Sequence, residues 1–367
     1  MNSFNNINSG QPVILTTVNE KIYAGSYESK VLQVNKDDFS VTIPYSNGKL
    51  IPLSAGTKVE VTVNEQTFES EIISRKFGTD QTLTLSAPHK TFKYNKENSV
   101  SHTKVIAITS GKGGVGKSSL AINLALALSN LNQRVCLVDA DLGMANIDVL
   151  LKMTPKYNLT HILKEEADIF DVIIEGPNNI MVIPGGSGWQ DISNLTTYQF
   201  QNLVKNFREL ESYTDIIIFD TGAGISNNVI NFLLASDEIL LITTPEPHAI
   251  TDAYAMTKII MEKSPDSPVK LIVNKSDNQK EGEDVGNKIK FAARQFLGIS
   301  LDYLGCVRKN NLFTESARNQ TPIYANRPSS PPAREIKQLA TNIIGRQNTS
   351  NQGISGFFNK LAGLFGR

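Results

Sequence analysis

Cysteine is nearly absent from this chain, which carries two in 367 residues. Cys136 in "RVCLVDAD" and Cys306 in "LGCVRK" sit inside apolar runs and read as small core residues, with no paired spacing for a metal or redox site. Long hydrophobic runs are missing too. No stretch approaches the roughly 18 residues that a membrane-spanning helix needs. The opening "MNSFNNINSGQPV" is polar and lacks the basic-then-apolar layout of a signal peptide. The expectation is a cytosolic protein. An excess of one charge is also wanting: 36 Lys and Arg stand against 36 Asp and Glu. With no overall basic field and no Lys/Arg cluster, DNA is not an expected partner. Internal repeats are absent.

What is present divides into three regions, as the length allows at about 100–200 residues per domain. Residues 1–88 read as an all-β unit. "KIYAGSYESKVLQVN", "FSVTIPY" and "KVEVTVNEQTFESEIISRKF" alternate apolar and polar residues between turn-formers such as "SNGK" and "SAGT". Five or six short strands at that spacing predict a small barrel. Residues 89–103 carry Lys, Asn and Ser without a sustained period and read as a linker. From Lys104 to residue 345, near-continuous apolar strands alternate with helical stretches. That pattern predicts a mostly parallel sheet covered by helices on both faces. Residues 346–353 read as a tether, and residues 354–367 turn apolar again.

The α/β region opens on a chemical signal. "SGKGGVGKSS" completes the phosphate-binding pattern G-x-x-x-x-G-K-[ST] with Gly111, Gly116, Lys117 and Ser118, between a predicted strand and a strong helix. Backbone N–H groups of Gly111, Lys112, Gly113, Gly114, Val115, Gly116 and Lys117, extended by Ser118 and Ser119, are candidates to cradle phosphate at the positive end of that helix. Lys117 is placed for the β- and γ-phosphates and the Ser118 hydroxyl for Mg²⁺. "DIIIFD" sets Asp220 after four apolar residues, where a carboxylate holds Mg²⁺ through water. "VDADLG" ends another strand with Asp139 and Asp141. Lys112 has no role in the ordinary pattern.

That extra lysine carries a resemblance. "KGGVGKS" is similar to the deviant Walker A loop of the MinD/ParA family, in which the early lysine is the signature. The resemblance spans roughly residues 104–345. It implies an ATP/ADP- and Mg²⁺-dependent ATPase whose two subunits sandwich two nucleotides face to face. Lys112 is then expected to cross to the other subunit's phosphates, so that activity requires a homodimer. By the same resemblance Asp141 orients or activates the attacking water and Asp139 supports the magnesium shell. Asn146 and Asp148 fall at the dimer interface, while Asn274, Val307 and Arg308 contact adenine. Gly222 and Gly224 in "DTGAGI" suit a switch segment that moves when the γ-phosphate departs.

"DTGAGIS" and "TTPEPHAITDAYAMTKII" resemble flagellar-number regulators of the FlhG/FleN type. The implied activity is slow, partner-stimulated ATP hydrolysis, with flagellar assembly or regulatory proteins as partners. A DNA-binding partition ATPase, a division-site regulator and a nucleotide-holding protein without turnover stay open as alternatives. FlhG proteins often begin with a "DQAxxLR"-type segment; none precedes Lys104. The β unit there resembles the N-terminal barrel of YcgR-type proteins. Cyclic-di-GMP is not an expected ligand, because neither an R-x-x-x-R linker nor a following PilZ domain is visible.

In "ISGFFNKLAGLFGR", Ile354, Phe357, Phe358, Leu361, Leu364 and Phe365 recur at helical spacing, with Asn359, Lys360 and Arg367 to the polar side. The segment is similar to the membrane-targeting tail of MinD and FlhG, which places the protein at the inner face of the cell membrane. A single tail binds lipid marginally and two in one dimer bind better by effective concentration. Packing on the protein's own surface in the nucleotide-free monomer is the competing expectation.

Overall fold

Alternation at period two makes the first unit a barrel. The computed structural model describes residues 7–17, 25–35, 38–46, 49–51, 53, 55–63, 66–76, 81–86, 103–141, 146–186, 195–345 and 352–366. The expected linker and tether lie outside these residues, except for Thr103, Gln352 and Gly353. Two compact units result, Met1–Val100 and Ser101–Arg367. The first holds strands β1 (Pro12–Thr17), β2 (Ser26–Val34), β3 (Asp38–Thr42), β4 (Tyr45–Ser46), β5 (Lys49–Leu50), β6 (Lys58–Val63), β7 (Gln66–Lys76) and β8 (Thr82–Ser86). Six of them close in the order β1-β2-β3-β8-β7-β6, and β4 and β5 form a separate hairpin. Every pairing is antiparallel. Val13, Leu15, Val31, Phe39, Val41, Val59, Val61, Ile72, Leu83 and Leu85 fill the interior. They are the inward members of the alternation, since successive strand residues face opposite sides.

The second unit begins with β9 (Lys104–Ser110), α1 (Lys117–Ser129), β10 (Val135–Ala140), α2 (Ile147–Leu150), α3 (Leu159–Leu163) and α4 (Ile169–Val172). It continues through β11 (Ile174–Glu175), β12 (Met181–Ile183), α5 (Thr197–Arg208), β13 (Ile216–Ala223), α6 (Asn227–Ala235) and β14 (Glu238–Thr243). Then come α7 (Pro247–Lys263), β15 (Val269–Ser276), α8 (Gln279–Leu297), β16 (Asp302–Arg308), α9 (Asn311–Asn319), α10 (Ile323–Asn326), α11 (Pro331–Gly345) and α12 (Gly353–Leu364). The sheet runs β11-β12-β10-β13-β9-β14-β15-β16 and is parallel except at the β11–β12 edge. Buried residues of α1, α10 and α11 cover one face and those of α6, α7 and α8 the other. Both faces being covered, the strands are apolar throughout, as β14 "EILLIT" illustrates. The ends of β9, β10 and β13 meet where the strand order reverses, the usual position of a ligand crevice in such sheets.

The C-terminal helix forms where its spacing places it, and in this state its apolar face packs on the protein's own surface. Ile354, Phe357, Phe358 and Leu361 are buried against the chain itself. Phe357 stacks on Phe219 of β13, ring centroids 4.9 Å apart, and lies 5.9 Å from Phe232 of α6. Phe358 meets Phe207 and Phe200 of α5 at 5.2 and 6.2 Å. Leu364 keeps 41% of its surface exposed, and Phe365 falls just beyond the helix. Each such ring is worth roughly 1.5–3 kcal/mol on burial, so a self-docked tail is physically favoured when no lipid competes.

A buried charge cluster pins the N-terminal ends of three central strands. Glu238 is fully buried, and its Oε2 accepts from Lys104 Nζ at 2.6 Å and Lys270 Nζ at 2.7 Å. Removing that carboxylate strands two ammonium groups in the sheet. Glu238→Ala is therefore expected to destabilise the second unit by about 3–5 kcal/mol, read as a lower urea midpoint, while Glu238→Gln costs less.

Candidate functional site

Residues 110–117 wrap the start of α1 because glycine permits turns that other residues resist. Gly114 and Gly116 take φ of 79° and 93°, in the left-handed region. A Cβ on Gly116 would stand 2.5 Å from Asn274 Nδ2, and one on Gly111 would strike the Asp252 carbonyl at 2.5 Å. The loop is also tied from outside. Asn274 Nδ2 donates to the Val115 carbonyl at 2.8 Å, and Lys275 Nζ to that of Gly114 at 2.7 Å. Within it, Ser110 Oγ donates to the Lys112 carbonyl at 2.9 Å. Three carbonyls are thus held, which leaves N–H groups as the loop's remaining polarity toward an anion.

Parallel pairing brings the carboxylates together. Asp139 of β10 stands opposite Asp220 of β13 in register, and Asp220 pairs with Ile108 of β9. Lys117 Nζ contacts Asp220 Oδ1 at 2.9 Å, both side chains buried. Burial raises the Asp220 carboxyl above the usual range; Lys117 and the Ser118 hydroxyl oppose the shift, and the Asp141 charge adds to it. The Asp139 carboxyl is pushed up to about 6, chiefly by burial. Its Oδ2 accepts from the N–H groups of Asn146 at 2.8 Å and Ile147 at 3.0 Å, its Oδ1 from that of Asp141 at 3.2 Å. Asp139 therefore staples the segment that carries Asp141. A Cβ on Gly222 would lie 3.4 Å from Asp141 Oδ1, so the end of β13 comes close to the residue that follows β10. Gly224 N–H donates to the Ser110 carbonyl at 2.9 Å and ties the Gly222–Gly224 segment to the start of the glycine loop. Asn146 and Asp148 flank the start of α2.

Lys112 does not join this cluster. Its Nζ bonds Glu246 Oε2 at 2.6 Å, with 40% and 60% of the two side chains exposed. Glu246 precedes α7, and the lysine beside it holds its carboxyl below the usual range. Nothing in the spacing announced this pair, since 134 residues separate its members. The acid in "TTPEPHA" just before a helix was the available signal.

The expected base contacts divide. Asn274 lies beside Gly116, and its Oδ1 is buried without a hydrogen-bond partner among the described residues. An acceptor so placed fits an exocyclic amine. Val307 and Arg308 pair in register with Asn274 and Ser276. Val307 is wholly buried in the core, however, and the Arg308 guanidinium is bound to Glu335 of α11. Ser119 offers its carbonyl to Asn123 Nδ2 at 2.7 Å, inside α1. Taken together, the glycine loop, Lys117, Ser118, Asp220 and the orphaned Asn274 oxygen fit a magnesium–nucleotide complex.

Both units of the chain resemble known proteins. A family model described as "AAA domain" matches residues 103–268, and one described as "Flagellar protein YcgR" matches residues 8–88. The chain is 35% identical over 240 residues to the "Antiactivator FleN" of Pseudomonas aeruginosa, covering 65% of this chain and 86% of that one. It is 34% identical over 293 residues to the "Flagellum site-determining protein YlxH" of Helicobacter pylori, covering 78% and 97%. Among solved structures, the cell division ATPase MinD of Pyrococcus furiosus superposes with a TM-score of 0.54 at 25% identity, covering 66% of this chain and 98% of that one. MinD of Pyrococcus horikoshii, complexed with Mg-ADP, gives 0.54 at 24% identity, covering 66% and 96%.

Gly116→Ala tests the loop. The added methyl meets Asn274 in a left-handed conformation, so affinity for a fluorescent ATP analogue is expected to fall about tenfold or more, with little change in the far-ultraviolet spectrum.

Proposed function

The chain belongs to the MinD/ParA family of P-loop ATPases, as FleN and YlxH do, and on that premise we propose that it hydrolyses ATP as a face-to-face homodimer and regulates flagellar placement or number from the membrane surface. The observation that carries this is Lys112. It stands on the phosphate loop yet is engaged by Glu246, outside the Lys117–Asp220 cluster. A cation at the mouth of a site that already has its own lysine is available to a second chain. Delivered across an interface, it stabilises charge developing on the transferred phosphoryl group, and turnover then depends on pairing.

The residues divide the work. The 111–117 loop and Lys117 bind the β- and γ-phosphates. Ser118 and Asp220 hold Mg²⁺, which when bound neutralises phosphate charge. Asp141 orients the attacking water, and Asp139 fixes the segment on which Asp141 sits. Asn274 takes the base.

Nucleotide state reaches the tail through β13. Phe219, stacked on Phe357, immediately precedes Asp220, and α6, which carries Phe232, follows the Gly222–Gly224 switch segment directly. Closure of that switch on a γ-phosphate shifts α6 and opens the aromatic seat of α12. Two freed tails in one dimer then bind lipid with a gain from effective concentration. One relative named for determining the flagellum site and a first unit that matches the flagellar YcgR model support a flagellar target.

Phosphate release measured with anionic vesicles tests the enzyme. Lys112→Ala and Asp141→Ala are each expected to lower turnover at least about a hundredfold. Asp141→Ala loaded with ATP is expected to sediment with vesicles and the ADP form to stay in solution. Absence of turnover in the parent, or equal vesicle binding in ATP and ADP, contradicts the proposal; retention on DNA in place of vesicles favours a partition ATPase.

A further inference from the structure

The docked tail is held by more than its aromatic rings. A helix leaves its first N–H groups without internal partners, and α12 supplies none of the usual remedies. Gln352, at its N-cap, makes no side-chain cap, and the first turn has no acidic residue. From residue 346 to the end the sequence contains no Asp or Glu at all. The body of the protein provides the missing acceptors. Asp237 Oδ1 accepts from the Gln352 N–H at 3.0 Å, and Glu211 Oε1 from the Ser355 N–H at 3.1 Å. Two carboxylates from separate elements, the turn after α5 and the residue before β14, thus face the positive end of one helix.

We propose that Asp237 and Glu211 form a latch that caps the docked C-terminal helix and sets how readily it leaves the protein surface. The proposal rests on the reading of α12 as a membrane tail and adds the residues that regulate it. The rings hold the helix by buried apolar area along its length. The paired caps fix its register and its end. Asp237 serves two masters: its Oδ2 also accepts from the Val105 N–H at 2.9 Å on β9. The latch is therefore anchored on the strand that leads into the phosphate loop. Burial raises the Asp237 carboxyl above the usual range, and the Gln352 and Val105 N–H groups and the Lys360 and Lys104 charges oppose that shift. Release exchanges the two caps for water, while the rings exchange Phe219 and Phe207 for lipid.

The test uses the full chain without nucleotide. Hydrogen exchange at residues 352–356 reports undocking whether or not the tail ever meets lipid. Glu211→Ala is expected to speed exchange there roughly fivefold, and Glu211→Ala with Asp237→Ala about thirtyfold, at about one cap's strength each. Ser355→Pro removes the donor from the tail side and leaves the body intact; proline is tolerated in a first helical turn. It is expected to match Glu211→Ala. Sedimentation with phosphatidylglycerol vesicles in the absence of ATP is expected to rise in the same order. Unchanged exchange in Glu211→Ala and in Ser355→Pro, with nucleotide affinity retained, overturns the latch. Faster exchange without any vesicle binding upholds the latch and contradicts the membrane reading instead.

Discussion

Charge is short at the end of the central strands. Asp139, Asp141 and Asp220 gather there near one buried ammonium, that of Lys117, close enough for burial and mutual repulsion to push two of the carboxyls upward. A triphosphate adds further negative charge. A site built this way requires positive charge from outside, and two sources fit the residues present: a divalent cation at Ser118 and Asp220, and a lysine from a second chain. The glycine loop, the register of β10 against β13 and the staple made by Asp139 all serve to hold this deficit in place. In the proposed dimer Lys112 is that second cation, and here it is paired with Glu246 at the surface, where such pairing is weak and easily exchanged.

Strand geometry joins that deficit to the tail. Adjacent residues of a strand face opposite sides. On β13, Asp220 looks to the phosphate loop while Phe219, one residue earlier, receives the Phe357 ring. A displacement of a few tenths of an ångström at the strand end is felt on both sides, because close-packed interiors transmit strain. The energetic scale suits a switch. Four buried apolar side chains and two borrowed caps hold the helix, and in the proposed cycle a pair of tails at a lipid surface competes with them.

Much of this was legible in the residues. Alternation between turns predicted the barrel, and six strands close it. Apolar strands between helical stretches predicted the parallel sheet, missing only the short antiparallel edge at β11. The loop pattern, the Lys112 signature and the positions of Asp139, Asp141 and Asp220 were visible because chemistry constrains them locally. What escaped were contacts between distant segments. Lys112–Glu246, Lys104–Glu238 and Ser355–Glu211 join residues more than 130 apart, and no periodicity encodes a partner at that range. Asn274 shows the middle case: the family resemblance implied a contact with the base, and the structure adds that it anchors Val115. For α12, periodicity announced an apolar face without saying what covers it, lipid or Phe219.

The central claim is that one chain cannot complete the site. Sedimentation velocity of the full protein with a non-hydrolysable ATP analogue and Mg²⁺ tests it most directly. The account expects a single species of twice 40.3 kDa, reverting to 40.3 kDa with ADP. A protein that binds the analogue and stays at 40.3 kDa at high concentration would contradict it.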